Sequence, residues 1–349
     1  MQAWLCENPV GVDALQWKEL PTPTPGPGEV LIAIEAASLN FPDLLIVQNK
    51  YQMKPPLPFV PGSEYAGVVA AVGDGVTHLK VGQNVACLSG TGGFGTHTIA
   101  PAALCMPLPD GFSHVDAAAF IMIYATSYHA LVDRAQLKAG ETVLVSAASG
   151  AVGSMVVQLA KRAGARVIGS TGSADKVAYL KTLGADEVIN YRETPDLDAE
   201  LARLAPDGIH VYFENVGGAV LDAALNNMAV HGRIVMCGLI EQYNSKGEAS
   251  GPRNLSQVIR KRLTMQGLIV FDHWQHYGEF LAEVTPAFWP TGAALATATE
   301  PKAPAAPARF SMMTGWPNST RKASEMWRMT MSIPLAGGQA TTMRMGLFG

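Results

Sequence analysis

The chain carries two hydrophobic rhythms, and the change falls near residue 120. Before it, short apolar runs at 30–36, 64–72, 83–88 and 95–99 are broken by Gly and Pro, which predicts the strands of a small, mostly β domain. After it, apolar runs of strand length alternate with helix-period segments. Residues 141–145 form a β-branched run that predicts a strand buried on both faces. Val152, Met155, Val156, Leu159, Ala160 and Ala163 then recur at i, i+3, i+4, i+7, i+8 and i+11, the stripe of an amphipathic helix. The alternation continues through strands at 165–170, 186–190, 209–213, 233–237 and 263–270, with helices at 174–183, 217–228 and 255–262. The predicted fold class is α/β, a mostly β domain followed by a doubly wound parallel sheet.

Between the 141–145 strand and its helix the chain reads Ser146-Ala147-Ala148-Ser149-Gly150-Ala151-Val152-Gly153, a stretch too small to fill a core. The first N–H groups of a helix lack internal partners and lie at the positive end of its dipole, so an anion that comes close is stabilised. Gly150 and Gly153 permit that approach. The spacing Ala147-x-x-Gly150-x-x-Gly153 is a variant of the dinucleotide fingerprint with Ala at the first glycine position. A plain tight turn would also use small residues, but the strand–helix alternation that follows favours a nucleotide. The next strand ends in Ser170-Thr171-Gly172-Ser173 with no carboxylate for a ribose 2′-hydroxyl, and Lys176 follows within a turn. That combination favours a 2′-phosphate, hence NADPH over NADH.

Composition narrows the setting. A length of 349 residues suits two domains, and a net charge of −4 gives no electrostatic case for nucleic acid or a membrane surface. Cys6, Cys87, Cys105 and Cys237 lie far apart, without the spacing of a disulfide frame or a structural zinc site. The opening residues lack the basic start of a secretory signal, and the longest apolar stretch noted, 117–124, is short of a membrane span. A cytoplasmic protein with no membrane partner is expected. His273-x-x-His276 has helical i, i+3 spacing but no third ligand nearby in sequence, so it reads as a solvated pair.

Several stretches then carry a resemblance. Pro25-Gly26-Pro27-Gly28-Glu29-Val30, Asn40-Phe41-Pro42-Asp43, Pro61-Gly62-Ser63-Glu64-Tyr65-Ala66-Gly67 and the small-residue loop together resemble the medium-chain dehydrogenase/reductase superfamily. The resemblance implies a GroES-like domain (1–121) and a Rossmann NADP-binding domain (122–271). In that family's zinc alcohol dehydrogenases a Cys stands near the position of Asn40 and a His follows the glycine where Ser63 stands, so the resemblance implies no metal here. Residues 39–64 resemble the zinc-independent quinone oxidoreductases. Tyr212-Phe213-Glu214-Asn215-Val216-Gly217-Gly218 and 237–244 instead resemble the alkenal and prostaglandin reductases.

By resemblance, Gly150, Val152 and Gly153 cradle the pyrophosphate, Lys176 and Tyr191 meet the 2′-phosphate, and Ser170 and Asn215 contact the cofactor. Tyr243 orients or protonates the substrate oxygen, a role that suits a neutral phenol donor. Asn40, Asp43 and Tyr51 line the substrate side. Asn40-Phe41-Pro42-Asp43 also reads as a plain helix start, and the two tyrosines as ordinary half-buried aromatics. The implied activity is NADPH-dependent reduction of quinones by hydride transfer without zinc. An enone double-bond reductase is the alternative, and a nucleotide-binding zeta-crystallin-like protein with little catalysis is a second one. The implied partners are a small-molecule quinone or enone and a second copy in a homodimer, with no nucleic acid.

The resemblance stops near residue 285. Residues 293–307 are mostly Ala, Thr and Pro, and from 287 onward six Lys or Arg face two Glu and no Asp. Such a segment does not easily bury a core, so 272–349 is expected to be an atypical C-terminal segment, disordered or frame-shifted.

Overall fold

In the computed structural model the described residues are 1–245, 251–288, 330–334 and 340–344. The chain divides into two compact units, the first built on Met1–Met122 and the second beginning at Ile123.

The first unit opens with an antiparallel pair, β1 (Gln2–Leu5) and β2 (Gln16–Glu19). Its main sheet is antiparallel and contains β3 (Glu29–Ala37), β4 (Glu64–Val72), β5 (Asn84–Leu88), β6 (His97–Pro101) and β7 (Cys105–Pro107), in the order β6-β3-β4-β5-β7. Val30, Ile32 and Ile34, two apart along β3, face one core with Val69, Val85 and Phe94. Helix α1 (Phe41–Val47) follows β3, and α2 (His114–Ala117) leads to α3 (Ile121–His129), which runs on into a π turn at Ala130–Arg134.

The second unit carries a six-stranded parallel sheet of β8 (Thr142–Val145), β9 (Arg166–Thr171), β10 (Glu187–Asn190), β11 (Ile209–Glu214), β12 (Met228–Met236) and β13 (Thr264–Gly267), in the order β10-β9-β8-β11-β12-β13. Helices α4 (Ala151–Arg162), α5 (Asp175–Thr182), α6 (Leu197–Leu204), α7 (Gly218–Asn227), α8 (Ile240–Tyr243) and α9 (Ser256–Lys261) connect these strands. One core gathers Val143, Val145, Val167, Val211 and Phe213 under Val156, Val157 and Ala160 of α4. The opposite face gathers Leu144, Ile168 and Tyr212 under Leu201, Leu204, Leu221 and Leu225 of α6 and α7. Neighbouring residues of a strand thus enter opposite cores, and that is why the strands read as unbroken apolar runs. Fully burying each such side chain contributes about 1.5–3 kcal/mol, more than helix propensity does over a segment as short as α4. Beyond β13 lie a 3-10 segment at Val270–His276 and α10 (Tyr277–Phe288).

Two sequence expectations change. The helical run His114–Arg134 is 21 residues long with a mean hydropathy of 1.3, enough for a membrane span by length and composition. Counting unbroken apolar residues missed it because Thr126, Ser127 and His129 interrupt the run. It is 72% buried inside the protein, as a core helix of a folded domain is. In the C-terminal segment, β14 (Thr330–Pro334) pairs antiparallel with β15 (Ala340–Arg344), a hairpin that the irregular sequence pattern did not predict. The remainder of the expectation for 289–349 lies outside the described residues.

Candidate functional site

The sheet order reverses between β8 and β11, and the loops that leave these two strands hold the polar residues of the second unit together. After Val145 the chain turns sharply, with Ala147 at φ 47°, and the Ala148 N–H donates to the Ser170 carbonyl on β9 at 2.9 Å. Gly150 takes the cap position of α4 and supplies no side-chain cap, so the first N–H groups of this 12-residue helix stay open to an anion. Val152 lies in the same first turn, its carbonyl accepting from Ser127 Oγ at 3.2 Å. A Cβ at Gly153 would run into the Ala147 carbonyl oxygen and lie 2.8 Å from Ala148 Cα. Glycine is therefore required where α4 packs against the strand end, the third-glycine role of a dinucleotide fold.

At the end of β9, Ser170 is 2% exposed and its Oγ has no hydrogen-bond partner. A buried hydroxyl left unsatisfied costs about 1–3 kcal/mol, so a ligand atom at this strand end has a reason to be there. Ser149 Oγ and Thr171 Oγ1 lie 3.2 Å apart beside it. A Cβ at Gly172 would lie 2.6 Å from the Tyr191 hydroxyl and 3.1 Å from Arg192 Nε. The guanidinium carbon of Arg192 stands 5.9 Å from the centre of the Tyr191 ring. Lys176, in the first turn of α5, donates its N–H to the Ser173 carbonyl at 3.2 Å. Tyr191 thus meets the turn after β9, and Lys176 follows that turn on α5. Arg192 joins Tyr191; the missed signal was a basic residue directly after the tyrosine.

The centre of the switch point is a carboxylate to which sequence reasoning gave no role. Glu214 is fully buried at the end of β11 and accepts from Tyr212 Oη at 2.6 Å, Ser146 Oγ at 2.9 Å, Val216 N–H at 2.5 Å and Gly217 N–H at 3.1 Å. Burial pushes its pKa up, against these four donors. Ser146 Oγ in turn accepts from the Asn215 N–H at 2.7 Å, which joins the β8 loop to the β11 loop. The Asn215 carbonyl accepts from the Ile240 N–H at 3.1 Å, fixing the start of α8. That short helix ends in Tyr243, whose residue is 40% exposed.

In the first unit, Asn40 stands at the N-cap position of α1, but its amide turns away from the helix. It donates to Ser38 Oγ at 2.7 Å and to Glu64 Oε2 at 3.3 Å. Asp43 holds the helix start instead, accepting from the Asn40 N–H at 2.8 Å with Oδ2. Its Oδ1 accepts from Ser63 Oγ at 2.5 Å and from the Ser63 N–H at 2.8 Å. Glu64, fully buried, also accepts from Ser38 Oγ at 2.8 Å and from the Met122 N–H at 2.9 Å. Tyr51 packs half-buried against the core of this unit. Asn40, Asp43, Ser63 and Glu64 thus form one polar cluster under α1, whose two carboxylates are not evident from the sequence as buried groups.

Desolvation raises the pKa of Asp43 to about 6 and that of Glu64 to about 7. The folded state therefore binds a proton more tightly than the unfolded chain. Stability is greatest below the unfolded value and is lost as pH rises through the folded one, for Glu64 between about 4.5 and about 7. Glu64→Gln should remove roughly 1–3 kcal/mol of that fall. Urea unfolding of both proteins at pH 5 and pH 8 measures it, and an identical pH dependence in the two would refute the assignment.

The His273–His276 pair is not the solvated pair its spacing suggested. His273 is 7% exposed and stacks on His129, with ring centres 4.5 Å apart, and Asp133 lies against both rings. The third polar group comes from an element about 140 residues earlier, beyond the reach of local spacing.

Comparison with known proteins accords with this architecture. Residues 26–110 match the alcohol dehydrogenase GroES-like domain and residues 151–285 the zinc-binding dehydrogenase family. An NADP(+)-dependent 2-alkenal reductase of Nicotiana tabacum is 51% identical over 162 residues, 46% of this chain and 47% of that one, so the chain matches about half the length of that relative. YfmJ of Bacillus subtilis, by its name an NADP-dependent oxidoreductase, is 35% identical over 288 residues, 80% of this chain and 83% of that one. The quinone oxidoreductase of Thermus thermophilus, solved also in complex with NADPH, superposes with a TM-score of 0.66 at 32% identity, covering 82% of this chain and 85% of its own. With a matched domain in each unit and a relative aligned over four-fifths of its length, the chain belongs to the medium-chain dehydrogenase/reductase superfamily, in the branch of the quinone oxidoreductases and alkenal reductases.

Proposed function

We propose that the protein is an NADPH-dependent reductase that transfers hydride to a quinone without zinc. The observation that carries this is the end of β9, where the strand ends without a carboxylate, Tyr191 and Arg192 approach Gly172, and Lys176 lies in the first turn of the helix that follows. The open N-terminus of α4, the close approach at Gly153 and the unpartnered Ser170 Oγ fit a dinucleotide phosphate and its ribose. The bound cofactor supplies the hydride. Within the chain, Gly150, Val152 and Gly153 seat the pyrophosphate, Asn215 borders the nicotinamide end, and Tyr243 donates a hydrogen bond to the substrate oxygen as charge develops there. Asn40, Asp43 and Tyr51 shape the substrate side.

Zinc does not fit the position the family name suggests. The two positions hold an amide and a hydroxyl where zinc would take a thiolate and an imidazole, and both are committed: Asn40 to Ser38 and Glu64, and Ser63 to Asp43; the carboxylates of Asp43 and Glu64 beside them already accept from Asn40, Ser63, Ser38 and Met122. Reduction of a conjugated carbonyl does not need a Lewis acid, because a hydrogen-bond donor can stabilise the developing enolate. The second reading, an enone double-bond reductase, is favoured by the 51% identity to the tobacco alkenal reductase. The proposal takes the protein as cytoplasmic, in keeping with free cysteines at 6, 87, 105 and 237, and as a homodimer joined along the edge strand β13.

Oxidation of NADPH and NADH at 340 nm with one quinone and one aliphatic enone tests the reading. Turnover with NADPH on the quinone supports it, turnover on the enone alone selects the second reading, and equal use of NADH overturns the assignment at β9. Lys176→Ala and Arg192→Ala should each raise the KM for NADPH about tenfold, the loss of one charge-assisted hydrogen bond, and leave that for NADH unchanged.

A further inference from the structure

The cluster at the end of α3, two buried histidines on a solvent-reaching Asp133, has no part in the chemistry above. His129 is the last residue of α3, and Asp133 follows it by one turn. His273 arrives from the segment after β13. His129 Nδ1 lies 2.6 Å and His273 Nδ1 3.1 Å from the same oxygen, Asp133 Oδ2, and one donor atom from each of the three residues falls within 4.8 Å of the other two. We propose that His129, Asp133 and His273 form a binding site for a divalent first-row transition ion of the zinc, nickel or copper class.

The spacing fits such an ion. Donor atoms about 2.0–2.1 Å from one metal lie about 2.9–3.4 Å from one another in square or tetrahedral arrangements; the His273–Asp133 pair has such a separation, and His129 and Asp133 would part by a few tenths of an ångström to admit the ion. Two imidazoles and a carboxylate are a borderline donor set, which prefers these ions to calcium or magnesium. Asp133 supplies a negative charge against both imidazoles.

Hydrogen bonding alone accounts for the cluster incompletely. His273 Nε2 is buried with no hydrogen-bond partner among the described residues, so this ring keeps a nitrogen that the protein's own hydrogen bonds do not use. An ion at the site would pin the segment Val270–His276 to the end of α3, joining two stretches that are distant in sequence.

The test uses the full chain, stripped with chelator, and Zn²⁺ and Co²⁺ as probes. Calorimetry is expected to show one equivalent of Zn²⁺ bound with a dissociation constant below about 100 µM. Co²⁺ should broaden the imidazole NMR signals of His129 and His273 and spare those of His78, His97, His114, His210 and His231. Asp133→Asn keeps the size of the side chain and an oxygen acceptor, and should weaken Zn²⁺ binding at least tenfold. No stoichiometric uptake, broadening confined to other histidines, or affinity unchanged in Asp133→Asn would each overturn the site. The NMR measurement reads the wild-type chain and depends on no variant folding.

Discussion

Valine at position 153 is expected to abolish NADPH binding. The Cβ of any residue there meets backbone, the Ala147 carbonyl oxygen and Ala148 Cα at 2.8 Å, so no side chain can swing aside to relieve it. Ala147 already occupies the left-handed region at φ 47° and has little room to turn further. α4 must therefore move away from the end of β8, taking with it the N–H groups proposed to seat the phosphates. Overpacking of this kind costs about 1–3 kcal/mol of stability. The loss of binding should be larger, about 100-fold or more in Kd, because every phosphate contact depends on the same helix position. Fluorescence titration with NADPH, read beside a thermal melt, separates the two effects. A Kd within a few-fold of the parent would mean that this loop does not carry the nucleotide.

Removing the Glu214 carboxylate should be the most destabilising single change in the second unit. Glu214→Ala leaves the Tyr212 and Ser146 hydroxyls and the Val216 and Gly217 N–H groups without their shared acceptor in the interior. Stripping one partner from a buried hydrogen-bonded charge costs about 3–5 kcal/mol. Glu214→Gln keeps one oxygen for the two N–H groups and offers its amide to the tyrosine, which can accept as well as donate, so about 1–2 kcal/mol is expected. Urea unfolding gives both values. Ser146 links Glu214 to Asn215, so the Gln variant should also bind NADPH more weakly while it remains folded. A stable Ala variant would show that water or a rearranged loop takes over the role of the carboxylate.

What could be read from the sequence was local. The small-residue loop announced itself because a strand, a turn and a helix stripe lie within 22 residues of one another, and β4 has the bounds its apolar run suggested. α6 was passed over although Leu197, Leu201 and Leu204 mark its buried side, because two turns give too few repeats to establish a period. β7, only three residues long, had no pattern to find. The polar clusters were hidden for another reason. Glu64, Glu214 and His273 each look like ordinary polar residues in sequence, and only the strands and helices packed around them make them buried. Asn40 was placed correctly at a helix start, but the sequence could not show that its amide would face Ser38 and Glu64 instead of the helix.

The turns after β9 and β10 have a consequence for how such a protein can change over generations. Gly172, Ser173, Lys176, Tyr191 and Arg192 all follow the strand ends and lie outside the paired ladder Glu187–Asn190 with Ile168–Thr171. Selection can exchange these residues without altering strand register or either core, so the choice between two nucleotides is free to drift while the fold stays put. One route needs a neighbour to give way: a side chain at Gly172 would crowd the Tyr191 hydroxyl, which would have to turn aside. If these residues choose the nucleotide as proposed, a lineage moving toward the unphosphorylated one can gain its acid at Ser173, whereas an acid at Gly172 first requires Tyr191 to shift, which biases the order in which the substitutions accumulate.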